Sequence, residues 1–187
     1  MAQEKVALDF TKDEKMAILE WCRELLRATL EDKPEPEGPE LKGNGGVFVT
    51  LKKDGDLRGC IGVFDWSRPV KETIARMTKA AAFADHRFNA VSLPEVDQLE
   101  IVVSVLTQPE KLEGIDKIVI GRDGLYLVHP KGRGVLLPSV AVEYGFAPLE
   151  FVENTCRKAG LPPSAYADPG AELMVFRAPA FSSQDFA

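Results

Sequence analysis

The chain contains no run of about eighteen apolar residues, so a transmembrane helix is excluded by length alone. Cysteine and histidine are scarce, at three and two residues among 187. Cys22, Cys60 and Cys156 are odd in number, widely spaced and form no CxxC pair, and no apolar leader precedes them near Met1. A disulfide framework is therefore not expected, and a reducing cytoplasmic setting is. Two histidines with distant cysteines make no metal-ligand spacing, and neither a structural metal nor a cofactor is expected. Excess positive charge is missing too. With 23 basic and 29 acidic residues the formal charge is −6, whereas a nucleic-acid footprint needs a basic domain or a clustered basic face.

What is present describes an ordinary globular protein. Hydrophobic residues make up 45% and charged residues 28%, and a chain of this length can bury about 70% of its unfolded surface in a single domain over 1–187. Half of the net charge sits in residues 31–46, where five acids and two lysines lie among three prolines and four glycines. Those prolines remove backbone donors and the glycines add freedom, so the stretch reads as a flexible acidic connector.

The spacing of apolar residues outlines the elements. Thr11 followed by Glu14 forms a capping box, and Ile18, Leu19, Cys22, Leu25, Leu26 and Leu30 continue at helical steps. Residues 47–51 and 57–64 read as an antiparallel pair around the Asp54-Gly55 turn signal. Ser67 is placed to cap a helix from Arg68-Pro69 to about Ala84 with Val70, Ile74, Met77 and Ala81 as its stripe. Residues 99–106 alternate as a strand, and 117–120 with 125–128 form a second hairpin candidate around Gly121 and Gly124. Gly132-Arg133-Gly134 reads as a turn, 136–144 and 148–159 as helices, the latter stopped by Gly160, and 173–176 as a last strand. Strands joined by tight turns, with helices between them, predict an α+β fold on a mainly antiparallel sheet flanked by helices.

The hexapeptide Leu57-Arg58-Gly59-Cys60-Ile61-Gly62 carries the chemistry. Period-two alternation places Arg58, Cys60 and Gly62 on one strand face and Leu57, Gly59 and Ile61 on the other. A guanidinium about 7 Å from a thiol favours the thiolate by about 0.6 kcal/mol in water and about 2.4 kcal/mol at an effective dielectric of 20. Cys60 and Arg58 are thus the candidate catalytic pair, while an inert packed thiol remains the alternative. Gly59 and Gly62 mark a bulge or the close approach of a ligand or backbone. Glu100 and Ser104 share the polar face of their strand and are candidates to line a pocket with Arg58. A cysteine nucleophile needs a base, and the choice is limited to His86 in Asp85-His86-Arg87-Phe88 and His129.

Taken together, LRGCIG at 57–62, DHRF at 85–88, LLPSVA at 136–141 with Glu143 and Gly145, and CRKAGLP at 156–162 make the chain resemble the AMME domain family of the Alport-syndrome chromosomal region. The resemblance runs from about Lys5 to Phe176. It implies an α+β domain of two unequal lobes with a cleft between them, the larger lobe built from both chain ends. It also implies a functional site at Leu57–Gly62; Gly59, Gly62, Glu100, Ser104 and Arg87 are the candidate ligand-binding residues beside the Cys60–Arg58 pair. The AmmeMemoRadiSam naming of prokaryotic members implies Memo-type and radical SAM partners. His86 departs from a family pattern that carries proline there, which argues against an indispensable base at that position. Two readings follow: a small-molecule enzyme using Cys60, or a noncatalytic component that binds a ligand or a protein.

Overall fold

Thr11 begins the folded chain as the reading requires: its side chain accepts from the Glu14 N–H at 3.2 Å and the Glu14 carboxylate accepts from the Thr11 N–H at 2.7 Å. Two orphaned donors of the first turn are satisfied, and α1 runs over Lys12–Leu30. The computed structural model describes residues 10–186; the stretch near Met1, expected to lack a leader, and Lys5 lie outside them. The other elements are β1 (Val47–Lys53), β2 (Asp56–Val63), α2 (Val70–Phe83), β3 (Leu99–Val105), β4 (Glu110–Lys111), β5 (Asp123–His129), β6 (Gly132–Leu136), α3 (Pro138–Glu143), α4 (Pro148–Lys158), β7 (Glu172–Arg177) and β8 (Ala180–Ser182). The fold is α+β, with two antiparallel four-stranded sheets. No helix among the described residues is long and apolar enough to cross a membrane.

The chain divides into two compact units, one reaching Leu106 and resuming at Pro179, the other spanning Thr107–Ala178. In the first unit the sheet order is β2-β1-β3-β8. Val47, Val49, Leu51, Ile101 and Val103 present one sheet face to Ile18, Cys22 and Leu25 of α1 and to Ile74, Met77 and Ala81 of α2. Each such large aliphatic side chain contributes about 1.5–3 kcal/mol on burial, so this face holds the unit together. The hairpin is tighter than the sequence predicts. Asp54 and Gly55 both adopt positive φ, 54° and 88°, and form a two-residue turn whose handedness suits the strand twist, letting β1 and β2 extend to Lys53 and Asp56. Ser67 does not cap α2. Its hydroxyl donates to Asp65 instead, and Pro69 stands at the N-cap with no side-chain bond.

Residues 31–46 carry neither helix nor strand, yet they are fastened along their length. The Trp21 indole N–H donates to the Pro36 carbonyl at 3.0 Å, Lys71 donates to the Gly38 carbonyl at 2.7 Å, and Asn44 bridges to Pro69. Gly38 is required at its place, since a Cβ there would lie 2.2 Å from the Trp21 ring.

The second unit has sheet order β4-β7-β5-β6 with Leu125, Phe151 and Val152 in its core. Here the reading is corrected. Residues 115–117 form a 3-10 turn, and β5 pairs with β6 rather than with 117–120. Gly132-Arg133-Gly134, read as a turn, is strand: a Cβ at Gly134 would sit 2.4 Å from the Thr155 carbonyl, so the glycines are there to let α4 approach the sheet.

Candidate functional site

The hexapeptide lies on β2, the edge strand of the first sheet, and its register sets where each side chain points. Leu51 pairs with Gly59 and Lys52 with Leu57, so Arg58 is the extra residue of a bulge. A bulge interrupts period-two alternation. Gly59 keeps to the face that α1 and α2 cover, whereas Leu57, expected beside it, pairs with Lys52 and is 42% exposed. Cys60 and Gly62 occupy the opposite face, in rows with Thr50 and Phe48 of β1.

Both glycines are packing positions. A Cβ at Gly59 would lie 2.1 Å from the Ala81 carbonyl oxygen of α2, so that helix rests directly on the strand backbone. A Cβ at Gly62 would lie 2.2 Å from the Phe48 ring on the other face.

Arg58 is turned by the bulge onto the segment after α2. Its Nε and Nη2 donate to the two oxygens of Glu95 at 3.1 and 3.3 Å, Nη1 to the Asn89 carbonyl at 2.8 Å and Nη2 to the Ala90 carbonyl at 3.2 Å. Glu95 also accepts from the N–H and hydroxyl of Ser92, each at 2.9 Å. The Arg58 guanidinium, followed by the Ser92 N–H, holds the Glu95 carboxyl down to about 2. What Arg58 projects toward Cys60 is the field of a close ion pair, weaker than that of a lone cation.

Arg87 and Asp85 brace the free edge of β2. Asp85 is buried, accepts from the Cys60 N–H at 2.9 Å and takes the Arg87 Nε and Nη2 at 2.9 and 2.7 Å. Arg87 Nη2 also donates to the Cys60 carbonyl at 3.3 Å. The pair thus gives Cys60 the donor and acceptor a neighbouring strand would supply, which blunts the edge. The Arg87 guanidinium, then the Cys60 N–H, holds the Asp85 carboxyl well below the usual carboxylate range.

The Cys60 sulfur lies 3.1 Å from the Thr50 hydroxyl and is half-buried. Among the described residues no imidazole or carboxylate is hydrogen-bonded to it. His129 belongs to the second unit, where its Nδ1 accepts from the Lys131 N–H at 3.1 Å and Nε2 faces Asp168 at 3.4 Å. The nitrogen a base would use is already occupied. The other two thiols are buried: burial pushes Cys22 up to about 12 and raises Cys156 as well. Glu100 and Ser104 share the outer sheet face with Cys60 but stand two strands away, about 10 Å or more. Glu100 accepts from Ser182 at 2.6 Å and faces Lys52 at 3.7 Å, so it is engaged away from Arg58.

Beside the braced edge opens a depression of about 430 Å³, lined by Arg58, His86, Arg87, Phe88 and Asn89. No acid among the described residues is in that lining, and Glu95 and Asp85, which hold the two guanidiniums, stand outside it. Arg87 also lies over the Phe88 ring, 5.4 Å from its centroid, which further fixes its plane. No group of three or more His, Cys, Asp or Glu side chains suited to a metal ion occurs among the described residues.

Comparison with known proteins places the chain in a family. The AMMECR1 family model matches residues 19–181, a span that includes the hexapeptide and the 85–89 loop. The chain belongs to the AMMECR1 family. Protein MK0488 of Methanopyrus kandleri is 41% identical to it over 165 residues, covering 83% of this chain and 79% of that one. A protein of Methanothermobacter thermautotrophicus is 44% identical over 142 residues, covering 73% and 74%. The crystal structure of uncharacterized protein PH0010 from Pyrococcus horikoshii superimposes with a TM-score of 0.77 at 35% identity, covering 92% and 93% of the two chains.

In this AMMECR1-family chain the sequence reading found Arg58, Cys60 and Arg87 but missed Glu95 and Thr50. Glu95 had a local signal, since Ser92 and Glu95 stand in capping-box spacing before a short 3-10 helix. Thr50 had none beyond lying on the strand opposite.

Proposed function

We propose that this AMMECR1-family protein is a noncatalytic binding component that holds a small anionic group, a carboxylate or phosphate, in the depression beside β2. Arg58 and Arg87 contact the ligand, and Gly59 and Gly62 serve close packing that keeps β2 in place. The carrying observation is that both guanidiniums are held by carboxylates, Glu95 and Asp85, that lie outside the depression's lining, while that lining holds no acid among the described residues. Fixing donors beforehand lowers the ordering cost of binding, and Arg87 Nη1 retains donors that no described residue uses. Memo-type and radical SAM proteins, implied as partners by the family resemblance, are then users or suppliers of the ligand in a reducing cytoplasm.

A second reading, a small-molecule enzyme with Cys60 as nucleophile or redox thiol and Arg58 as its stabiliser, draws on the partial exposure of Cys60 beside two buried thiols. It lacks a base. Calorimetric titration of the intact protein with inorganic phosphate and with acetate tests the binding reading. Arg87→Gln is expected to weaken binding about tenfold, with partial recovery in Arg87→Lys, which keeps the charge and loses the fork. Equal affinity in all three proteins, or no binding to any, overturns it.

A further inference from the structure

The second unit contains a cavity of its own, also about 430 Å³, where β4 meets β7. That volume falls within the range of small-molecule sites, and its walls carry both signs of charge.

The cavity lining brings them together, while strand register puts Lys111 on the face opposite Val175 and Arg177. Asp123 pairs with Arg177 across β5 and β7, and Lys111 with Met174 across β4 and β7. Buried Asp123 is satisfied: it accepts from the Val119 N–H at 2.9 Å and from the Arg122 Nε and Nη2 at 2.7 Å each. Although burial pushes its carboxyl up, the Arg122 guanidinium brings it below the ordinary range. Arg122 and Asp123 therefore answer one another. The Lys111 side chain and the Glu113 carboxylate have no hydrogen bond or salt bridge to a described residue, and Arg177 acts on Asp123 through its charge without a hydrogen bond. Leu112 and Val175 supply an apolar stretch between these charges.

An anion alone in this cavity meets repulsion from Glu113, and a cation alone meets Lys111 and Arg177. A ligand of one sign leaves charges of the other unanswered, a negative selection as effective as attraction. The geometry points to a second binding site, in the 107–178 unit, for a small aliphatic zwitterion of the amino-acid type. Its carboxylate lies against Arg177, its ammonium against Glu113 and its chain over Leu112 and Val175. This site is separate in residues and in ligand charge from the depression beside β2.

The test titrates the intact chain with leucine, following backbone amide resonances. Two single-charge analogues, 4-methylpentanoate and 3-methylbutylamine, serve as comparisons. Saturable shifts are expected at Leu112, Val175 and Arg177. Each analogue is expected to bind about tenfold more weakly than leucine, and Arg177→Gln and Glu113→Gln to lose a similar factor. Both substituted side chains are exposed, so neither substitution opens a cavity in a core. No saturable shift below about 10 mM leucine, an analogue binding as tightly as leucine, or both variants binding like the parent each overturns the proposal.

Discussion

Replacing Glu95 by glutamine removes the charge that holds Arg58 and leaves the volume nearly unchanged. In the folded protein the Glu95 carboxyl is held down to about 2 from an ordinary 4.5, first by the Arg58 guanidinium and then by the Ser92 N–H. A carboxyl depressed on folding contributes stability that is fully present above its unfolded value and is lost as pH falls through its folded value. At about 1.36 kcal/mol per pH unit, a fall of that size caps the contribution at about 3 kcal/mol. Both side chains keep some contact with water, 16% for Arg58 and 20% for Glu95, so screening reduces it to on the order of 1–2 kcal/mol. Trp21 and Trp66 both belong to the same unit as Glu95, so tryptophan fluorescence during urea unfolding reports on that unit. Near pH 7 the parent should be more stable than Glu95→Gln, and the part of the difference due to charge, on the order of 1–2 kcal/mol, should vanish between about pH 4.5 and about pH 2. A difference that stays constant over that range refutes the account of Arg58 as the group that holds Glu95 ionised. Phosphate affinity should fall in the same variant, because Arg58 loses the partner that aims it.

Gly59→Ala should cost at least about 2 kcal/mol in urea unfolding, since the new Cβ would meet a helix carbonyl that cannot swing aside, and Gly62→Ala about 1 kcal/mol, since the Phe48 ring can move. The reverse order would refute the packing account of these glycines. Peptide mass spectrometry after brief alkylation of the folded protein should find Cys60 modified well before Cys22 or Cys156, both fully buried; comparable labelling of Cys22 would mean that the first core opens readily. Arg87→Gln should lose about tenfold in phosphate affinity and Arg177→Gln about tenfold in leucine affinity, read by calorimetry and by amide shifts respectively.

Particular elements show where sequence reasoning reached and where it stopped. The Thr11 and Glu14 box, the stripe of α1 and the alternation of β3 were legible because each is decided by neighbours a few residues apart. Asp54-Gly55 announced its turn because positive φ is a property of the residues themselves. Gly132 and Gly134 misled: the same glycine that permits a turn also permits a helix to touch a strand, and only the position of α4 distinguishes the two. At the candidate site the hexapeptide could be picked out as unusual, yet its bulge, which re-aims Arg58 and exposes Leu57, appears only once β1 lies alongside.

By itself the sequence determined the α+β class, the capping box of α1, the antiparallel character of the strands and the family, all of which rest on short-range periodicity, backbone preference and residue identity. Only the tertiary structure decided that the strands form two sheets, that Arg58 belongs to Glu95 and Arg87 to Asp85 and the β2 edge, and that Cys60 has a hydroxyl for its neighbour. Glu95 lies 37 positions beyond Arg58 and Asp85 lies 25 beyond Cys60. Such pairings depend on how the core orients whole elements, and no local rule carries that information.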